Sequence, residues 1–231
     1  ILQALKEYYD RKAADTESDI APEGLELKEF PFCIVIDSDG MFIELEDLRE
    51  QKGRKLFGKK YLVPRSKSRS GSNSHEIVFL LWDHIGYVLG AAESAEKQER
   101  TSKQHESWLK SLNELPQHIK EDEGVKAILQ FYANNQIDEV KRSENWAKCI
   151  QHKGCNVLFR VVGDTVPIPS KPIIHNYVRE LIVGNSDNSC NANDKIYGHC
   201  LVTGEYAEIA RTHGDTRIGK DAKKLVSFQR N

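Results

Sequence analysis

The sequence predicts an α+β fold: an amino-terminal helix, a small antiparallel sheet with an Asp-Gly hairpin, and a helical middle segment. Three observations lead there. Leu2, Leu5, Tyr9 and Ala13 recur at spacings of three and four, with Tyr8 beside them, which gives an amphipathic helix a face for docking. In FPFCIVIDSDGMFIELED (30–47) two apolar runs flank Asp39-Gly40, the strongest short-range hairpin signal, and in the second run Ile43 and Leu45 alternate with Glu44 and Glu46. Val125, Ile128, Leu129 and Tyr132 then repeat at i, i+3, i+4 and i+7, the spacing of a helix packed on one side.

The remaining elements follow in chain order. A Pro- and Gly-containing link (21–24) separates the first helix from the hairpin, and Tyr61–Pro64 reads as a third strand. LLWDHIGYVLG (80–90) reads as an apolar helical element, and the polar stretch 93–107 as an exposed helix or connector. Trp108, Leu109, Leu112 and Leu115 share one face before Pro116 stops the helix. Val157–Val162 is a short strand, and VPIPSKP turns the chain into Ile173–Val183, where Ile174, Tyr177, Val178, Leu181 and Ile182 form a buried stripe. Residues 184–198 are turn formers and read as a surface loop. A strand-like LVSF (225–228) near the end reads as the start of a region that continues further.

Charge is the least uniform property of the chain. Residues 49–70 hold nine cations, Arg49, Lys52, Arg54, Lys55, Lys59, Lys60, Arg65, Lys67 and Arg69, against Glu50 alone. That stretch is +8 in a chain of net −2, so everything else sums to −10. A solvated loop is the ordinary explanation of a charge run, but an acidic protein has no solubility reason to gather its cations, and a segregated basic strip is the footprint of a polyanion site. The strip runs into SKSRSGSNS (66–74), where Gly71, Ser72 and Asn73 are small enough for close approach to a phosphate or a groove.

Composition sets the outer bounds. With 231 residues, 39% apolar and 29% charged, the chain can bury one large core or two small ones. It has no apolar run long enough to span a membrane, and its first residues lack the pattern of a secretory signal, so a cytoplasmic location is expected. Five cysteines, Cys33, Cys149, Cys155, Cys190 and Cys200, contain no Cys-x-x-Cys pair and argue for free thiols in a reducing compartment.

Catalytic chemistry is sparse. Asp37-Ser-Asp39 after an apolar strand is the placement used by haloacid-dehalogenase-like phosphatases, in which Asp37 would attack phosphorus, Asp39 would act as acid and magnesium would sit between them. A tight hairpin turn accounts for the same residues more simply. Cys149, His152 and Cys155, or Cys190 and Cys200 with His175, His199 or His213, are imaginable zinc ligands, but they lack the two close pairs of a structural zinc site. No phosphate-cradling glycine motif, His-Glu-x-x-His or nucleophile elbow is present, so no cofactor is expected.

Taken together and in order, ILQALKEYYDR, FPFCIVIDSDG, YLVPRS, LLWDHIGYVLG, GHCLVTGE (198–205) and LVSF resemble the amino-terminal part of the large subunit of the type I-C CRISPR Cascade complex. The resemblance implies a DNA-recognition domain over 1–205, comprising a basic loop (49–74) and a helical segment (80–150), with 206–231 opening a following region. It implies a non-catalytic subunit, not an enzyme, that binds duplex DNA, recognises the protospacer-adjacent motif and helps R-loop formation in antiviral defence. Its expected partners are double-stranded target DNA, the 5′ handle of the CRISPR RNA, the other Cascade subunits and a helicase-nuclease recruited after target binding. On this reading Arg54, Lys55, Lys59, Lys60, Arg65, Lys67 and Arg69 contact DNA, and Gly71, Ser72 and Asn73 form the motif-recognition loop. The competing readings are the magnesium-dependent phosphatase and a free-standing nucleic-acid-binding protein using the same strip.

Overall fold

The computed structural model describes residues 2–14, 20–92, 94–188, 197–200, 204, 206–208, 216–218 and 221–223. The chain divides into two compact units, residues 1–11 with 184–231 and residues 12–183. Described elements run in chain order as α1 (Leu2–Ala14), β1 (Leu25–Phe30), β2 (Phe32–Ile36), β3 (Phe42–Asp47), β4 (Glu50–Lys52), β5 (Lys55–Phe57), β6 (Lys59–Pro64), β7 (Trp82–His84), α2 (Ile85–Val88), α3 (Gln98–Asn113), α4 (Gln117–Lys120), α5 (Glu123–Ala133), α6 (Ile137–Arg142), α7 (Trp146–Gln151), β8 (Asn156–Val161), α8 (Pro172–Asn188), β9 (Tyr197–His199), β10 (Tyr206–Glu208), β11 (Thr216–Ile218) and β12 (Asp221–Lys223).

The larger unit is layered around a four-stranded sheet of order β3-β2-β8-β7. Strand β2 is buried on both sides, which is why FCIVI reads as a continuous apolar run. Phe32, Ile34 and Ile36 join Phe159 of β8 in a cluster with Trp108, Leu112, Ile128 and Phe131 from the helices. Cys33 and Val35 point the other way and meet Phe30, Val63, Trp82 and Leu158. Strands β1 and β6, paired antiparallel from Leu25↔Pro64 to Phe30↔Lys59, cover that second face. The molecule is α+β as expected, and antiparallel pairing is joined by one parallel pair, β2 with β8.

The Asp-Gly hairpin is present: β2 and β3 pair antiparallel from Phe32↔Asp47, with a register shift between Val35 and Ile36. Its turn is built by Asp37, whose Oδ1 accepts the N–H groups of Asp39 at 2.9 Å and Met41 at 2.8 Å. Gly40 sits at φ +77° against α5, where a Cβ would lie 2.4 Å from the Phe131 nitrogen. Edge strand β3 is dressed by side-chain amides: Gln136 Oε1 accepts the Phe42 N–H at 3.1 Å, and Asn145 Nδ2 donates to the Leu45 carbonyl at 3.0 Å. The helical middle is organised by its own polar ties. Asp122 caps α5 by accepting from Gly124 N and Val125 N, and Trp108 Nε1 donates to Tyr132 Oη, which donates to the Val88 carbonyl.

Several expectations need correction. LELKEF forms β1, a strand the sequence reading assigned to no element. The element at 80–90 is not one helix: Trp82–His84 is a strand, and only Ile85–Val88 makes a helical turn. The basic stretch 49–74 holds, besides the expected strand at 61–64, now β6, a short hairpin of β4 and β5 that the loop reading did not include. The expected loop at 184–198 is helical through Asn188 and extended at Tyr197–His199, while 189–196 lies outside the described residues. On α1, Leu5 and Tyr8 are 58% and 50% exposed. LVSF lies outside the described residues. No described helix is long and apolar enough to cross a membrane.

Candidate nucleic-acid interface

The cations of the basic strip fall into two groups. Lys52, Arg54, Lys55, Lys59, Lys60, Arg65 and Lys67 are exposed. Lys59 lies 5.5 Å over the Tyr61 ring. Among the described residues none of the seven closes an ion pair, so their charge is available to an outside anion. Arg49 and Arg69 are different. Arg49 forms an ion pair with Asp47 and lies over the Phe32 ring, its guanidinium holding the Asp47 carboxyl below the ordinary range.

Arg69 is committed to the protein interior. Its guanidinium pairs with Asp83 at 2.5 Å, donates from Nε to the Ile77 carbonyl at 2.8 Å, and lies 3.8 Å and 4.0 Å from the ring centres of Phe79 and Tyr87. The Asp83 side chain is fully buried and also accepts from the N–H groups of Phe79 and His84. Burial pushes its carboxyl above the ordinary value, against the lowering pull of Arg69. Next to it, Trp82 Nε1 donates to the Pro64 carbonyl at 2.9 Å. The Trp82-Asp83 pair therefore fastens residues 64, 69 and 79, on both sides of the glycine- and serine-containing segment. In sequence Trp82-Asp83-His84 reads only as part of the apolar element at 80–90; the missed signal was a buried-type aromatic coupled to an acid shortly after a cationic stretch.

Between these fastenings the chain makes a 3₁₀ turn, Ser72–Glu76, entered through Gly71 at φ +79°. Ser74 is its buried inner residue: its carbonyl accepts from Tyr87 Oη at 2.9 Å and its Oγ accepts from Arg100 Nη2 at 3.1 Å. Gly71, Ser72 and Asn73 are exposed on the outside of the turn, and a Cβ at Gly71 would meet nothing within 4 Å. The structure thus brings Gly71, Ser72 and Asn73 together at one exposed apex held from beneath. A groove of about 640 Å³ runs between this segment and α3, and its lining is mixed in charge, with Lys67, Lys103 and Lys110 set among Glu76, Glu106 and Glu114. Arg100, Lys103 and Lys110 come from a polar helix face that gave no sign in sequence of lying beside the basic strip.

Among the described residues the alternative sites do not assemble. The Asp37 carboxylate is used by its own turn, and β3 follows it antiparallel where the phosphatase architecture needs a helix. Cys149 and Cys155 are buried thiols with Sγ atoms 3.5 Å apart. His175 Nε2 donates to the Leu62 carbonyl and His199 Nδ1 to that of Gly204, while Cys190 and His213 lie outside the described residues. Among the described residues no group of three or more His, Cys, Asp and Glu side chains is arranged to hold a metal ion.

Residues 5–231 match the family described as CRISPR-associated protein (Cas_Csd1). The chain belongs to the Cas_Csd1 family. Membership makes it a CRISPR-associated protein and a Cascade subunit, with other Cascade subunits as its partners; subunits of this family are structural and generally non-catalytic. Comparison with curated proteins returned no match.

Proposed function

We propose that this Cas_Csd1 chain is the type I-C large-subunit portion that docks duplex DNA beside the guide-paired region and reads the protospacer-adjacent motif. The observation that carries the proposal is the coexistence of exposed cations free of ion pairs with a small-residue apex, Gly71, Ser72 and Asn73, anchored from below. Arg54, Lys55, Lys59, Lys60, Arg65 and Lys67 supply phosphate contacts that position the duplex. Arg69, spent on Asp83, holds the loop in place. Asn73 or its loop neighbours supply the base-edge contact, worth roughly 1–3 kcal/mol of discrimination for a good pair. Sequence matching is left to guide–target pairing, so the protein has only a short motif to find, and salt-sensitive phosphate contacts permit rapid scanning of wrong sites. The remaining partners on this reading are the CRISPR RNA 5′ handle and a helicase-nuclease recruited after R-loop formation, in the cytoplasm.

Within the assembled complex, Asn73→Ala should weaken binding of motif-bearing duplex by about 1–3 kcal/mol and leave duplex without the motif nearly unaffected. Equal losses on both duplexes in a competition assay refute the assignment. Charge reversal at Lys67 should weaken binding to all duplexes together. If about five phosphates are neutralised, the log–log salt slope should lie near −4.5, and a slope near zero would mean that the strip faces an acidic protein.

A further inference from the structure

We infer that the β4–β5 hairpin is a strand-holding arm: the face of its ladder that carries Phe57 with Lys52 and Lys55, and Arg54 in the turn, bind an unpaired nucleic-acid strand by stacking a base on Phe57. This goes beyond duplex reading by the 71–73 apex, and shares with it the premise that the cations meet a polyanion and the phosphate-binding side chains Arg54 and Lys55.

The arm has no core of its own. Every residue from Glu50 through Phe57 is exposed, with Leu56 at 57% and Phe57 at 38%. A two-stranded hairpin alone in water is marginally stable. Its root is nevertheless fixed. On one side Leu48 N donates to the Pro31 carbonyl at 2.9 Å. On the other, Gly58 N donates to Glu29 Oε1 at 2.6 Å, and Gly58 lies so close to β1 that a Cβ would stand 2.3 Å from the Phe30 carbonyl oxygen. The tip is open, since a Cβ at Gly53, at φ +65°, would meet nothing within 4 Å. The fold thus maintains a rooted, uncovered hairpin that offers apolar side chains outward.

Charge selects the occupant. Lys52 and Lys55 face each other across the ladder and Arg54 sits in the turn, with Glu50, directly opposite Phe57, as the only acid on the arm. An acidic protein surface would satisfy the cations, and would bury the ring only if it also carried an apolar pocket beside its acids. A closed duplex offers phosphates but keeps its base faces stacked inside. An unpaired strand offers both at once, phosphates to the cations and base faces to Phe57, the combination used in single-strand binding without sequence preference.

Fluorescence anisotropy of the full chain with labelled oligothymidylate, oligouridylate and a blunt duplex tests the arm. Phe57 and Leu56 are exposed, so Phe57→Ala and Leu56→Ser leave the fold intact, which the circular dichroism melting curve verifies. Phe57→Ala should weaken single-strand binding about 5- to 150-fold, while duplex binding stays at the parental value and Phe57→Trp retains single-strand affinity. A loss confined to the DNA or the RNA oligomer supports the inference and names the strand. Unchanged single-strand affinity in Phe57→Ala overturns it, as does an equal loss on duplex. Loss of assembly with other subunits at unchanged oligomer affinity overturns it in favour of a protein contact. Failure of Asn73→Ala to alter motif discrimination bears on the apex alone and leaves this result standing.

Discussion

Arg69→Ala should destabilise the larger unit by about 3–5 kcal/mol, because it leaves the buried Asp83 carboxylate without its countercharge. Asp83 keeps the N–H groups of Phe79 and His84, but Arg69 also covers the Phe79 and Tyr87 rings and holds the Ile77 carbonyl. The effect has a sign that pH reads out. Removing Arg69 takes away the influence that lowers a carboxyl already raised by burial. A carboxyl with a raised folded-state pKa contributes stability below its unfolded value and loses it as pH rises through the folded value. The variant's deficit in urea unfolding should therefore be larger at neutral pH than below the ordinary aspartate value of about 3.9. A pH-independent deficit would show that Arg69 acts by packing alone. Arg69→Lys should recover only part of the loss, because an ammonium cannot serve Asp83, Ile77 and two ring faces together as a planar guanidinium does. Since Arg69 fastens the neck of the segment carrying Gly71, Ser72 and Asn73, the same substitution should lower motif discrimination under conditions where the chain remains folded.

The second large effect belongs to Gly40→Ala, which should destabilise the chain by about 2–5 kcal/mol. Two costs combine there. The backbone lies at φ +77°, a region that alanine occupies poorly, and the new methyl would press on the Phe131 nitrogen, the Ala127 carbonyl oxygen at 2.6 Å and the Gln130 carbonyl carbon at 2.7 Å. These are main-chain atoms of α5, which cannot swing aside as a side chain would. A shift in urea midpoint smaller than that of Gly53→Ala, at a positive-φ glycine with nothing near it, would contradict the argument. The comparison separates backbone strain, common to both, from the clash, present only at Gly40.

Gly40 also shows what sequence conveys well. An Asp-Gly pair between apolar runs states its own turn, so the β2–β3 hairpin was legible, as was α5 from Val125, Ile128, Leu129 and Tyr132. Such signals are local. Strand β1 was not legible because Glu26, Lys28 and Glu29 dilute its alternation, and its place is fixed by a partner, β6, found beyond the two hairpins between them. Strand β7 was hidden in an apolar run whose composition suits a helix equally, and pairing with β8 decided it. The parallel register of β2 on β8 has no local trace. At the candidate site the charge of the strip was plain, but which cations face outward was not. Arg69 stands among Lys, Arg and Ser residues with nothing to distinguish it, and its partner Asp83 lies 14 positions away. Distant geometry turns one of several similar cations into a fastening.

The side-chain amides on β3 carry a consequence for assembly. A sheet border with open main-chain groups is an invitation to any extended segment nearby, and a protein crowded among neighbouring subunits meets many. Here Gln136 and Asn145 occupy the Phe42 N–H and Leu45 carbonyl, so a recruited strand would first have to evict both. Neighbours approaching along that border must recognise its side-chain texture, including the alternating Glu44 and Glu46, and cannot simply zip on.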